Sequence, residues 1–530
     1  MVKNYFRWII IGVVLGMNNF MPALGATNPN SAKIDRMVFA KLDELGIPRS
    51  DLCTDEVFLR RVYLDMTGTI PTPKQARQYL SSNGTNKRSE LIEELCERGE
   101  FSDYGSLKWC DLLRVKAEFP SKLWPNAVQA YHRWVRTALY NNMPCDEFCR
   151  ALLTSSGSNF RVAPVNFYRA MPKREPLEIA RIVALTFMGM RTDHWDEEQL
   201  LGMAAFFGRV GYKGTAEWKE EIVYFDPSME FLHPESKQPV EARLPNGIVV
   251  EPSLNEDPRI AFADWLVESD VFARNIVNRI WYWLLGRGLI HEVDNIRDDN
   301  PPQNKKLLDF LTQELVRSGY DMQHIYRIIL NSKTYQLASI HNEGNLADVS
   351  SFSHYYTRRL DAEVLIDAIC QITGTTESYS SEIPEPFTFI PEKLRAIKLS
   401  DGSITSPFLD LYGRPPRDTG YASERNNIPS PSQKLHLLNS THIQKKITSN
   451  KALLGMYYKK SKEKKKPTQA WLPPEEAIEG MYLAILSRYP SAKETNDALA
   501  YIRESGLGRY DASVDLVWAL FNTKEFIFKH

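Results

Sequence analysis

The sequence predicts a mainly α protein, with two helical domains joined by a small β-rich junction. Apolar residues recur at helical spacing over most of the chain, and helix start and stop residues punctuate those stretches. One interval, Glu221 to Pro252, instead holds the short β-branched runs IVYF, VEARL and GIVVEP. Pro227, Pro234, Pro239, Pro245 and Asn246-Gly247 separate them. The expected division is 30–220 for the first helical domain, 221–256 for the junction and 257–530 for the second.

In chain order, the first 26 residues read as a processing segment. Lys3 and Arg7 precede an apolar run from Trp8 to Met17, and Ala23-Leu24-Gly25 fits a small-x-small cleavage site. The run is too short for a spanning helix, so no integral membrane span is expected. An uncleaved anchor is the alternative. Export to the periplasm or beyond is the expectation. Thr72, Pro73 and Gln75 then have the N-cap, N1 and N3 chemistry of a capping box. Asn275 to Leu285 places Ile276, Ile280, Trp283 and Leu284 on one face, and Gly286 stops it. Lys305 to Arg317 repeats the pattern with Leu308, Leu311 and Leu315, and Arg359 to Thr373 does so with Leu365, Ile366 and Ile369. Ser491 with Glu494 starts another capped helix, and Val514, Trp518 and Phe521 line the last.

At 530 residues with 43% apolar content, the chain is long enough for several buried cores. A net charge of −1 points away from nucleic acid as a partner. Lys459 to Lys466 reads KKSKEKKK, a solvated loop whose sharper reading is contact with an anionic glycan or envelope surface. Six cysteines are too sparse to staple the fold, even in an oxidising compartment. Cys145 and Cys149 lack the His or second Cys pair of a zinc set, so buried free thiols are expected. No glycine-rich phosphate loop, Gly-x-Ser-x-Gly elbow or His-Glu-x-x-His is present.

Several long motifs carry a resemblance. They are LRRVYLDMTGTIPTPKQARQYL from Leu59, RIAFADWLVESDVFARNIVNRIWYWLLGRGLIHEVDNIRDDNPP from Arg259, and LLDFLTQELVRSGYDMQHIYRIILNSKTYQ from Leu307. RRLDAEVLIDAI, LYGRPPRDTGYASER and VDLVWALFNTKEFIFKH follow. The set resembles exported proteins of planctomycetes and related bacteria that pair a cytochrome-associated N-terminal domain (PSCyt type) with a C-terminal domain of unknown function (PSD type). In that family the segment after an FMGM-like run carries Cys-x-x-Cys-His and then Asp-His-Pro-Phe. Here Phe187-Met-Gly-Met190 passes through Arg191 and Thr192 directly to Asp193-His194-Trp195. The family's Gly-Arg-Pro-Pro-Arg-Asp motif runs into Cys-x-Cys-Glu-Arg. Here Tyr421 and Ser423 stand in place of those cysteines, ahead of Glu424 and Arg425.

Both thiol motifs are missing while their frames persist; the simplest account is one composite site in the relatives, and the alternative is two independent losses. Covalent haem attachment needs the two thiols, so no haem and no other cofactor is expected here. Asp193 and His194 remain as a candidate metal pair, with His132 or Glu197, although a surface or capping role is the plainer reading. Arg414, Arg417, Asp418, Glu424 and Arg425 form a dense charged loop stiffened by Pro415 and Pro416. It either presents guanidinium forks to an anionic ligand or clamps two domains together. Arg60, Arg61 and Asp65, and likewise Arg359 and Glu363, are candidates for buried structural ion pairs. Of Trp281, Tyr282 and Trp283, at least one is core and another is a candidate for lining a carbohydrate groove. The expected function is that of an exported, non-haem binding or assembly protein at the cell surface or in the periplasm. Its expected partners are proteins of that compartment and an anionic glycan, and a link to polysaccharide handling rests on the resemblance alone. The alternative is a hydrolase or redox enzyme acting without c-type haem.

Overall fold

The structure, a computed structural model, describes residues 29–251, 253–449, 458–460 and 469–530. The expected processing segment lies outside these residues. So does the lysine run, except for the backbone of Lys459 and Lys460.

The fold is mainly α. Helix Pro73–Ser81 begins with the expected capping box, in which Thr72 and Gln75 bond reciprocally. Ser491 and Glu494 do the same ahead of Ala492–Glu504. Helix Asp270–Leu285 ends at Gly286 with φ +83°, a left-handed conformation that favours glycine. Helix Lys305–Arg317 takes the expected bounds. Helix Ala362–Thr373 starts later than its apolar pattern, because Asp361 is its N-cap and Arg358–Arg359 is a short strand. No helix among the described residues is long and apolar enough to cross a membrane. None of the six cysteines is bonded to another, and all but Cys370 are buried.

The β content of the 221–256 interval is smaller than its three runs suggest. Strand Glu221–Phe225 pairs antiparallel with Val210–Gly214, setting Val223 opposite Tyr212, and on its other edge with Gly157–Ser158. The other two runs make only isolated bridges, such as Arg243 opposite Val249. Pro239 and Pro245 flank the middle run and lack the N–H groups that a continued ladder needs.

Apolar packing divides the chain into two cores. The first gathers residues from Ile34 to Tyr355, together with Ile383 and Leu483. The second gathers Leu360 to Phe526 and reaches back for Leu64, Ile70, Tyr104 and Leu107. Two helices therefore straddle the seam. Helix Asp55–Met66 gives Val62 and Met66 to the first core and Leu64 to the second. Helix Gly99–Leu112 gives Trp109, Cys110 and Leu112 to the first and Tyr104 and Leu107 to the second. A polar residue between those faces, such as Asp65 or Lys108, is carried inward at the seam.

A charged cavity at the seam between the cores

A cavity of about 190 Å³ lies at this seam. Helix Gly99–Leu112 supplies Tyr104, Lys108 and Asp111, and helix Asp270–Leu285 supplies Arg279, Tyr282 and Trp283. Arg358, Arg359 and Asp361 come from the strand and N-cap before helix Ala362–Thr373. Tyr421 and Arg425 come from the charged loop, and Lys529 from the C-terminal strand.

Almost every cation here is held. Asp65 is fully buried and pairs with Arg358 at 3.0 Å and Lys529 at 2.9 Å, while the Tyr335 and Tyr355 hydroxyls donate to it. Burial works to raise its carboxyl, and the two cations outweigh that and hold it below the ordinary range. Asp361 accepts from the Tyr104 hydroxyl at 2.7 Å and from Asn427 at 2.6 Å. Burial opposes its charge, and Arg425 and Lys529 reverse the effect, keeping it ionised. Arg279 pairs with Asp294 at 2.8 Å and donates to Asn275 and the Leu185 carbonyl.

Lys108 differs. Among the described residues its ammonium has no hydrogen bond or ion pair, and it lies 4.2 Å from the Tyr104 ring centre and 5.4 Å from that of Trp283. Burial and then the neighbouring Lys529 lower its pKa to about 7.

The charged loop closes one wall. Gly413 and Gly420 bracket it, both at positive φ. A Cβ on Gly413 would lie 2.1 Å from the Asn426 carbonyl oxygen, so only glycine fits. Arg417 turns inward at φ +62° and pairs with Asp111 at 2.9 Å. Arg425 forks across Asp111 at 2.7 Å and Glu363 at 2.7 Å, and Arg414 also reaches Glu363, at 3.4 Å. Asp418 pairs with Lys116, and Glu424 accepts from the Asp418 backbone N–H. Three arginines thus share two carboxylates. One carboxylate belongs to helix Gly99–Leu112 and the other to helix Ala362–Thr373, so the loop ties the two cores together.

Several expected pairings are redirected. Arg60 donates to the Ile485 and Phe526 carbonyls, and Arg61 to those of Tyr335 and Leu337; neither holds Asp65. Arg359 bonds the Tyr412 and Asn426 carbonyls instead of Glu363, because it lies before the helix begins and i,i+4 spacing does not apply. Trp281 is core, while Tyr282 and Trp283 line the cavity.

The two frames that carry thiols in the resembling family do meet. Arg191 stands 5.3 Å over the Tyr421 ring. Ile296 N–H donates to the Gly189 carbonyl, and the Ala422 N–H donates to Asp294, the partner of Arg279. Burial, and next the charge of Asp193, raise the Tyr421 hydroxyl pKa. Asp193, His194 and Ser423 are exposed. No group of three or more His, Cys, Asp or Glu among the described residues could hold a metal ion, so His132 and Glu197 do not gather with Asp193 and His194.

Sequence reasoning missed Lys108, Arg279, Asp294 and Lys529. Nothing local marks Lys108, whose neighbours in space come from distant segments. A charged residue on a helix with apolar residues on both flanks was the available signal, in Leu107-Lys108-Trp109.

Two family models match the chain. PSCyt2, described as a protein of unknown function (DUF1549), covers residues 33–210, and PSD1, a protein of unknown function (DUF1553), covers residues 258–502. No curated protein and no solved structure matches it. The cavity draws walls from both matched regions: Tyr104, Lys108 and Asp111 from the first, Arg279, Arg358 and Arg425 from the second.

Proposed function

We propose that this chain, which pairs a PSCyt2 region with a PSD1 region in that order, is an exported binding protein that takes a small anionic ligand into the cavity between its two cores. One observation carries the reading. Six cations line the cavity against two carboxylates, and one of them, Lys108, has no partner of its own. Lys108 is half-buried; an ammonium held partly away from water with no ion-pair partner is costly, and a bound anion offsets that cost. An acidic sugar, carrying a carboxylate or sulfate, suits both the charge and the Tyr282 and Trp283 rings beside it. Exposed Asp193 and His194 stand outside this role. The arginines of the Gly413–Arg425 loop act as a clamp, because their forks are already filled by Asp111 and Glu363.

Thermal unfolding of the purified protein with glucuronate, sulfate and neutral glucose tests the reading. The anions raise Tm in wild type, and Lys108→Gln abolishes the rise. Equal effects of glucose and glucuronate, or an unchanged rise in the variant, would falsify it.

A further inference from the structure

We propose that Lys108 is an amine nucleophile that condenses with the carbonyl carbon of a small oxo acid bound in the cavity. This rests on the cavity being the ligand site. The geometry sets Lys108 apart from every other lysine and arginine that lines the cavity. Arg279 and Arg425 are locked to carboxylates, Arg358 and Lys529 share Asp65, and Arg359 is spent on backbone carbonyls. Lys108 touches only the Tyr104 and Trp283 rings. The groups facing it are Lys529 and Arg358, which oppose its charge, and Asp65 and Asp361, which favour it but are already engaged. Burial together with Lys529 brings the amine to about 7, so at neutral pH a large fraction carries a free lone pair. A lysine half-buried in a cavity beside a second cation is the arrangement that activates amines toward carbonyl groups.

The step balances without an oxidant or reductant. The amine nitrogen attacks the carbonyl carbon and a C–N bond forms. The carbonyl oxygen then departs as water, one of its hydrogens from the amine and the other a solvent proton, leaving a protonated imine that carries the added charge. The carboxylate of the oxo acid supplies the negative charge that the cavity lacks. The small volume favours a ligand of few non-hydrogen atoms.

Reductive trapping tests this on the full chain. The protein is incubated with glyoxylate and cyanoborohydride between pH 6 and 9, and adducts are located by peptide mass mapping. Lys108 is expected to be labelled about tenfold or more faster than the exposed Lys305, with a rate that rises through pH 7 and then levels. Lys108→Arg keeps the surface labelling and loses this adduct. Labelling of Lys108 no faster than that of Lys305 overturns the proposal, even if glucuronate still raises Tm. Fast labelling that excess acetate does not slow removes the ligand-site reading and, with it, the oxo acid as the bound partner.

Discussion

The clamp loop and the Lys108 wall present the same kind of charge to one cavity, yet they use it in opposite ways. On the loop, buried Arg414 and Arg417 and half-buried Arg425 are divided between Glu363 and Asp111. On the facing helix, Lys108 is left on two aromatic rings with no carboxylate. Filled forks resist separation of the cores, while an unfilled one costs stability and stays open to a ligand. Cation count alone does not tell the two walls apart; the presence or absence of a carboxylate partner does.

Breaking the closed side has the largest effect. Glu363→Gln leaves buried Arg414 without a carboxylate and Arg425 with Asp111 alone, and costs about 3–5 kcal/mol, read by denaturant unfolding. Gly413→Ala forces a Cβ against the Asn426 carbonyl at a positive φ, and about 2–3 kcal/mol is lost in the same measurement. The open side responds with the other sign. Lys108→Met removes an unpaired charge and is more stable than wild type at pH 6. The folded amine titrates near 7 while the unfolded one titrates near an ordinary lysine value of about 10.4. Between those values the unfolded chain holds the extra proton, so wild type gains stability as pH rises and the gap to Lys108→Met closes by about pH 10. A gap that stays constant over this range instead would show the amine to be charged and well solvated. Asp193→Asn with His194→Gln touches neither side and shifts stability by less than about 0.5 kcal/mol.

What could be read from the chain was local. The capping boxes at Thr72 and Ser491 and the glycine stop at Gly286 rest on neighbours within one helical turn. Strand Glu221–Phe225 was visible in its β-branched run, whereas its partner Val210–Gly214 was hidden because VGYKG carries two glycines and follows a helix directly. The clamp was legible as a choice between two roles, and the structure fills its forks. Arg359 and Glu363 misled because a helical spacing was read across a strand and an N-cap. Lys108 could not be found, since its character comes from Trp283 and Lys529, which only the packing of two cores brings near.

The C-terminal pairing has a further consequence. Phe528–Lys529 and Arg358–Arg359 form a ladder only two residues long, and each strand delivers one of the cations that bind Asp65. Fraying of those few rungs would withdraw Lys529 and loosen Arg358 in a single event. The field around Lys108 would drop, and Asp65 would keep only its Tyr335 and Tyr355 donors. The pairing of two short strands is thereby tied to the charge on an amine in the cavity.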